Sequence, residues 1–347
     1  MNNHLLEIFN AMEKSKSNDV NDRVLIIDGT NTYLRIFSSV PMISENGEHV
    51  GGIIGFLRSI ALNIREFNPS RCIIVFDGKG GSMRRKKLYP YYKANRSGKY
   101  NLRRDVFSSV DEEQDSMRKQ LMRIAQYLEL LPVQIFCIDN IEADDAVAYI
   151  TSNYYDRTAN KIRIVSTDRD FLQLVSDKVE VYSPVKKKLY TQSEIQAEYG
   201  FHPENYLIYR TISGDTSDNI NGVSGVGLKT LLKFFPELSE KKLSHEYLLS
   251  QSKKVIETEK KPKKIYQLLL ENQSILNRNY DLMQLHDVEI SGITKIRIMD
   301  ILQGKVQPLN KLQFKRFLAE DYLHTQFKDL DNWLYTSFNS LNIWANS

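Results

Sequence analysis

Nine acidic residues stand out by where they fall along the chain. Asp28 and Asp77 end short apolar runs at 23–28 and 72–77. Glu142, Asp144 and Asp145 open an apolar helical pattern, Asp168 and Asp170 follow the run at 162–167, and Asp215 and Asp218 precede a glycine-rich turn. Any one of these has a plain explanation. A single aspartate at a strand end is ordinarily a helix cap or turn residue. Acids in a first helical turn suit the helix dipole, and Asp215 with Asp218, taken alone, reads best as a polar turn. Several carboxylates brought to one place, however, repel unless something positive lies between them. Oxygen donors with few histidines and no useful cysteine fit magnesium or manganese better than zinc. Two such ions roughly 4 Å apart could activate a water and stabilise the leaving oxygen of a phosphodiester.

A second set of residues suits a polyanion. Ten Lys or Arg residues and no acid lie between positions 79 and 104, against a net charge of only +4 for the whole chain. Within this stretch Arg84, Arg85, Lys86, Tyr92, Lys93 and Arg96 interleave bases with aromatics, the classes that neutralise phosphate and stack on nucleobases. Lys93 and Arg96 are three apart, so a helix places them on one side, where they could stabilise charge on a scissile phosphate. An isolated basic run is more often a solvated face. Gly222, Gly225, Gly227 and Lys229 form a turn that lets backbone approach phosphate and offers the N–H groups of the next helix. By itself that turn is also what any tight loop between helices looks like.

Positioning these groups calls for an α/β unit. Short apolar runs at 23–28, 72–77, 133–139, 162–167 and 179–182 read as strands, and 52–66, 115–130 and 143–154 as helices. Strands alternating with helices imply a mostly parallel sheet, and ligands bind outside the carboxyl ends of such strands. After residue 190 the pattern turns helical, with 252–264 an exposed Lys/Glu-rich connection. The expected organisation is a polar leader at 1–22, a catalytic unit at 23–185 with a basic arch at 79–120, a helix-hairpin-helix unit at 186–264 and a helical extension at 265–347. With 41% apolar and 26% charged residues the chain can bury a substantial core. It lacks the roughly 18 consecutive apolar residues of a membrane span and has no secretory leader pattern. Cys72 and Cys137 each lie in an apolar run and read as buried thiols in a reducing compartment.

In their order these elements resemble the 5′-nuclease family: flap endonucleases, the 5′-nuclease domains of bacterial DNA polymerases, and the phage replicative enzymes called RNase H. The resemblance covers about residues 24–232, and the length, leader and helical tail look most like the phage type. It implies a PIN-like domain with a mostly parallel central sheet flanked by helices, then a helix-hairpin-helix domain and a helical C-terminal extension. It implies a 5′→3′ exonuclease and flap endonuclease that removes RNA primers and 5′ flaps from lagging-strand fragments. Asp28, Asp77, Glu142, Asp144, Asp168 and Asp170 would hold a first Mg²⁺ or its waters, and Asp145, Asp215 and Asp218 a looser second, with Mn²⁺ able to substitute. Lys93 and Arg96 would stand beside the scissile phosphate. Arg84, Arg85, Lys86, Tyr92 and the glycine turn would bind DNA, with K⁺ at that turn. Such enzymes act on DNA and RNA–DNA duplexes with 5′ ends, with a sliding clamp and a single-strand-binding protein, in the cytoplasm (the host's, for a phage protein), and a monomer is expected. The apolar stripe at 5–12 could dock a clamp and the tail a binding protein. A loose leader and a packed helical cap are the plainer readings, and we prefer them.

Three other readings compete. A haloacid-dehalogenase-type phosphatase would carry a second aspartate where Thr30 stands. A single-strand RNA nuclease on the same core would not explain the hairpin turn or the long basic segment. A DNA-binding protein with a dead site would gain nothing from nine clustered acids.

Overall fold

In the computed structural model, described over residues 21–96, 105–155 and 159–345, the chain builds a six-stranded sheet in the order β3-β2-β1-β4-β5-β6. The strands are β1 (Arg23–Asp28), β2 (Arg71–Asp77), β3 (Gln134–Ile138), β4 (Lys161–Val165), β5 (Val179–Ser183) and β6 (Lys188–Tyr190). The first five are parallel and β6 runs antiparallel to β5. The sequence pattern identified all but the three-residue β6.

Side-chain alternation sends each strand's residues to two cores. Val24 and Ile26 face one with Ile73, Val75, Ile162 and Ile164. Leu25 and Ile27 face the other with Cys72, Ile74 and Val165. Helices α1 (Gly29–Ser39), α2 (Gly51–Phe67) and α4 (Val110–Leu128) belong to the second face, while α3 (Met83–Leu88) starts the basic segment. Helix α4 begins five residues before the expected start, because Ser109 caps it by accepting the Glu112 N–H at 3.1 Å. Helix α5 (Ala143–Tyr149) lies on the first face and gives way to a π-helical turn, Ile150–Tyr155, so the expected single helix changes its winding.

Beyond the sheet come α6 (Gln192–Tyr199), α7 (Tyr206–Ser213), a two-stranded hairpin of β7 (Gly214–Asp215) and β8 (Ile220–Asn221), and α8 (Leu228–Phe234). Then follow α9 (His245–Thr258), α10 (Lys264–Glu271), α11 (Gln273–Met283), α12 (Gly292–Gln303), α13 (Lys311–Glu320) and α14 (Leu330–Ala345). Two expectations change here. The stretch at 252–264 is mostly the end of α9, with only 259–263 left as a connection. Cys137 is exposed, since it lies on the outer strand β3.

The last helices return to the sheet. Phe314, Leu318, Leu334, Phe338 and Leu341 complete the core that holds α2, the packed-cap reading of the tail. Helix α12 covers the edge strand: Gln134 donates to the Ile301 carbonyl at 2.8 Å, and Arg71 to the Leu302 carbonyl at 2.7 Å. These bonds, with Ile298 and Leu302 in the first core, hold α12 against the β2–β3 side of the sheet. Among the described residues no helix is long and apolar enough to cross a membrane.

Phe338 is 0% exposed. Phe338→Ala should therefore cost about 3–5 kcal/mol, read as a lower denaturant midpoint at unchanged slope.

Candidate active site

The parallel strands deliver the acids to one edge. From β1 the chain moves to β2 on one side, and from β4 to β5 on the other, so the crevice of the sheet opens between β1 and β4. Asp28 caps α1 there, accepting the Asn31 N–H at 3.0 Å on one oxygen and the Ser166 hydroxyl at 2.8 Å on the other. Ser166 accepts the Asp168 N–H at 3.0 Å, and Asp168 accepts the Asp170 N–H at 2.8 Å. Asp77, at the end of β2, accepts the Ala143 N–H at 2.8 Å and so caps α5 from another element. Glu142 is the N-cap residue of α5, with Asp144 and Asp145 in its first turn.

Two arginines neutralise part of this charge from inside. Arg85 pairs with Asp145 through Nη2–Oδ1 at 2.6 Å and Nη1–Oδ2 at 3.0 Å. It also bonds Glu142, and its Nε donates to the Leu282 carbonyl at 2.8 Å. Arg210 binds Asp170 at 2.9 Å through Nε and bonds Asp215 through Nη2. Lys93 reaches Glu142 Oε1 at 2.5 Å.

Compensation is incomplete. Burial, then the charges of Asp168 and Asp77, pushes Asp28 up to about 7 against its two hydrogen bonds. Burial and then Asp168 push Asp170 up to about 7 against Arg210. Asp144 is raised by burial and Asp168, and Asp168 by burial and Asp218. Glu142 and Asp215 go the other way. Burial would raise each, but Arg85 and Lys93 outweigh it at Glu142, and Ser217 and Arg210 at Asp215. The unbalanced oxygens form a set of hard donors suited to a divalent cation. As they stand, no three acidic, histidine or cysteine side chains among the described residues converge tightly enough to close on one ion.

Lys93 has a left-handed backbone, φ 57°, held by its N–H to the Asp218 carbonyl at 2.9 Å. Asn95 donates to the Thr216 carbonyl and Asn219 to the Tyr91 carbonyl, each at 2.8 Å. The segment after α3 is thus stitched to the β7–β8 loop, which places Asp218 beside Lys93. Arg96 ends the 3₁₀ turn Ala94–Arg96, and its side chain lies outside the described residues, as do the leader and residues 97–104.

The basic segment divides in a way its composition concealed. Arg85 and Tyr92, expected to face DNA, are 3% and 2% exposed. Arg85 spends its charge on buried carboxylates, and Tyr92 packs with Leu207, Ile220, Leu282 and Met283. Lys86 is exposed, and Arg84 is half-buried with Nη2 3.7 Å from Asp145. Asp145, expected on a second ion, has both oxygens on Arg85. In the glycine turn, Gly225 has φ +83°, and a side chain at Gly222 would stand 2.4 Å from the Ile212 carbonyl oxygen. Gly227 N-caps α8, and Lys229 is exposed in its first turn.

Sequence reasoning missed Ser166, Arg210 and Asn219. Only Arg210 carried a usable signal, a cation five residues before Asp215 at the end of an apolar helix.

Residues 23–200 match the family model described as "5′-3′ exonuclease, N-terminal resolvase-like domain". The thermostable DNA polymerase I of Thermus filiformis is 33% identical over 215 residues, 62% of this chain but 24% of that protein. The chain therefore spans about a quarter of the polymerases it matches. The 5′-3′ exonuclease of Aquifex aeolicus is 29% identical over 300 residues, covering 85% of this chain and 93% of that one. Among solved structures, a bacteriophage T5 flap endonuclease in a pseudo-enzyme–product complex with DNA and metal ions superposes with a TM-score of 0.62 at 22% identity, covering 87% of this chain and 98% of that one. This likeness shows a shared fold.

Two substitutions should act in opposite directions on the metal-free protein. Arg85→Met strands Asp145 and leaves Glu142 to Lys93 alone, and should cost about 3–5 kcal/mol in chemical denaturation. Asp28→Asn removes a charge that burial opposes. A carboxyl with a raised folded-state pKa stabilises most when protonated, and that contribution fades as pH climbs through about 7. With chelator at about pH 8, Asp28→Asn should melt roughly 2–6 °C above the wild type, and the gap should narrow as pH falls below about 7 and close only near the ordinary carboxyl value of 3.8.

Proposed function

Because this chain belongs to the 5′-3′ exonuclease family, and is by that membership a nuclease, we propose that it hydrolyses phosphodiester bonds at or near the 5′ ends and flaps of DNA, removing RNA primers during replication with two divalent cations. The observation that carries this reading is the crevice between β1 and β4, where buried and half-buried aspartates from three separate segments keep uncompensated charge beside Lys93.

In this reading Asp144, Asp168 and Asp170 hold a first Mg²⁺, with Asp28 and Asp77 acting through its waters. Mg²⁺ keeps several waters, which suits carboxylates that do not close into a cage. Asp215 and Asp218 serve a second, looser ion. Glu142 and Asp145 act at one remove, through Arg85 and Lys93. Held there, the ions would supply Lewis acidity toward a water and toward the phosphate oxygens. Lys93, its backbone held by the Asp218 carbonyl, stabilises charge on the scissile phosphate, a role proposed for Arg96 as well.

The substrate track runs from the catalytic unit at 23–185 to the helix-hairpin-helix unit at 186–264. Arg84 and Lys86 line one end. Gly222, Gly225, Gly227 and Lys229 offer backbone N–H groups and charge to the duplex at the other, with K⁺ at that turn. The extension at 265–347 is a structural cap. A sliding clamp and a single-strand-binding protein complete the replication setting, in the cytoplasm, with the enzyme itself a monomer.

Cleavage of a 5′-flap DNA and of a nicked RNA–DNA duplex tests the reading. Short 5′ products should need Mg²⁺ and vanish with chelator or with Asp168→Asn. Lys93→Ala should lower kcat by roughly 10²–10³ with little change in KM. Tight flap binding without any cutting by the wild type would overturn the proposal and leave a DNA-binding protein.

A further inference from the structure

Arg210 sits at the last turn of α7, 9% exposed, where the catalytic unit meets the hairpin of the helical unit. Each guanidinium nitrogen has an acceptor. Nε lies 2.9 Å and Nη2 2.8 Å from Asp170 Oδ1, Nη2 also bonds Asp215 Oδ2, and Nη1 is 3.4 Å from the Gly214 carbonyl oxygen. Asp215 Oδ1 is taken by Ser217, from the N–H at 2.7 Å and the hydroxyl at 2.6 Å. Asp170 Oδ2 accepts no hydrogen bond from the described residues, so Arg210 fixes that carboxylate through one oxygen and leaves the other for a ligand.

Asp170 follows β4, and Asp215 lies in β7, 45 positions further along the chain. Nothing in the local chain sets their separation. The planar guanidinium does, since its donors have fixed directions and span both carboxylates at once. We infer that Arg210 is a positioning residue that holds Asp215, assigned above to the second, looser cation, at a fixed distance from Asp170, assigned to the first. The inference rests on the two-ion reading above and adds the device that couples the two carboxylate groups. A positive group this close also opposes cation binding through its charge. The fixed spacing outweighs that opposition, because unbridged, these two carboxylates would have no shared partner to bring them together. Partners that orient metal ligands in this way ordinarily contribute a factor of about 10–100 in metal affinity.

Calorimetric titration of the DNA-free protein with Mn²⁺ tests this, using wild type, Arg210→Met and Arg210→Lys. Lysine keeps the charge but not the fork, and it serves if the methionine variant does not fold. The wild type should show a tighter and a weaker class of sites. Both variants should weaken the weaker class by about tenfold or more and the tighter class by clearly less, since its other ligands, Asp144 and Asp168, are not bonded to Arg210. The Mg²⁺ concentration for half-maximal flap cleavage should rise in parallel, with the KM for DNA unchanged. Unchanged Mn²⁺ binding in a folded variant would overturn the inference and leave Arg210 a structural brace. Equal loss of both classes, or tighter binding in Arg210→Met, would overturn it as well. A wild type that binds no Mn²⁺ would sink the two-ion reading itself, an outcome distinct from variants that match a metal-binding wild type.

Discussion

Like-charge repulsion among clustered carboxylates, from buried Asp28 to exposed Asp77, is the constraint around which this molecule is built. Asp28, Asp77, Glu142, Asp144, Asp145, Asp168, Asp170, Asp215 and Asp218 come from five separate stretches of chain to one sheet edge. Two buried arginines answer part of their charge. Arg85 takes Glu142 and Asp145, and Arg210 takes Asp170 and Asp215. The remainder stays high in energy, as the raised carboxyls of Asp28, Asp144 and Asp168 record. Such a cluster is costly to fold, and the stability must come from elsewhere.

It comes from two cores that clamp the sheet from both faces. The first joins α5 and the helical unit to the sheet, and the second draws in α2, α4 and the returning helices α13 and α14. Helix α11 connects these supports to the site itself. Its last turn offers the Leu282 carbonyl to Arg85 and the Met283 carbonyl to Gln173, in the turn that starts at Asp170. Asn279, 0% exposed, donates to the Thr211 and Asn221 carbonyls at 2.9 Å each and so fixes the base of the β7–β8 hairpin. Residues far along the chain thus hold both arginine-bound carboxylate groups in place.

The basic segment shows how one composition serves two purposes. Arg85 and Tyr92 turn inward, toward acids and apolar side chains, whereas Lys86 stays in solvent. Lys93 does neither fully. Its backbone is pinned to the Asp218 loop while its ammonium faces Glu142. A sequence of alternating bases and aromatics cannot distinguish these fates, because each depends on which partner comes within reach once the sheet has formed.

The sequence by itself determined the strands, the placement of acids at their ends and the parallel architecture. Those follow from local patterns: short apolar-rich runs of five to seven residues, each closed by a polar junction. The acidic positions were legible for the same reason, since strand direction alone carries Asp28, Asp77 and Asp168 to one edge. Only the tertiary structure decided which cations answer which acids, that Arg85 and Tyr92 are buried, that Cys137 is exposed, and that α12 to α14 return to cover the sheet. Each of those outcomes depends on contacts between residues dozens to hundreds of positions apart, such as Arg85 with Leu282, Arg210 with Asp170 and Arg71 with Leu302. Local periodicity carries no information about such pairs, because their distance is set by packing and not by the spacing of residues along the chain.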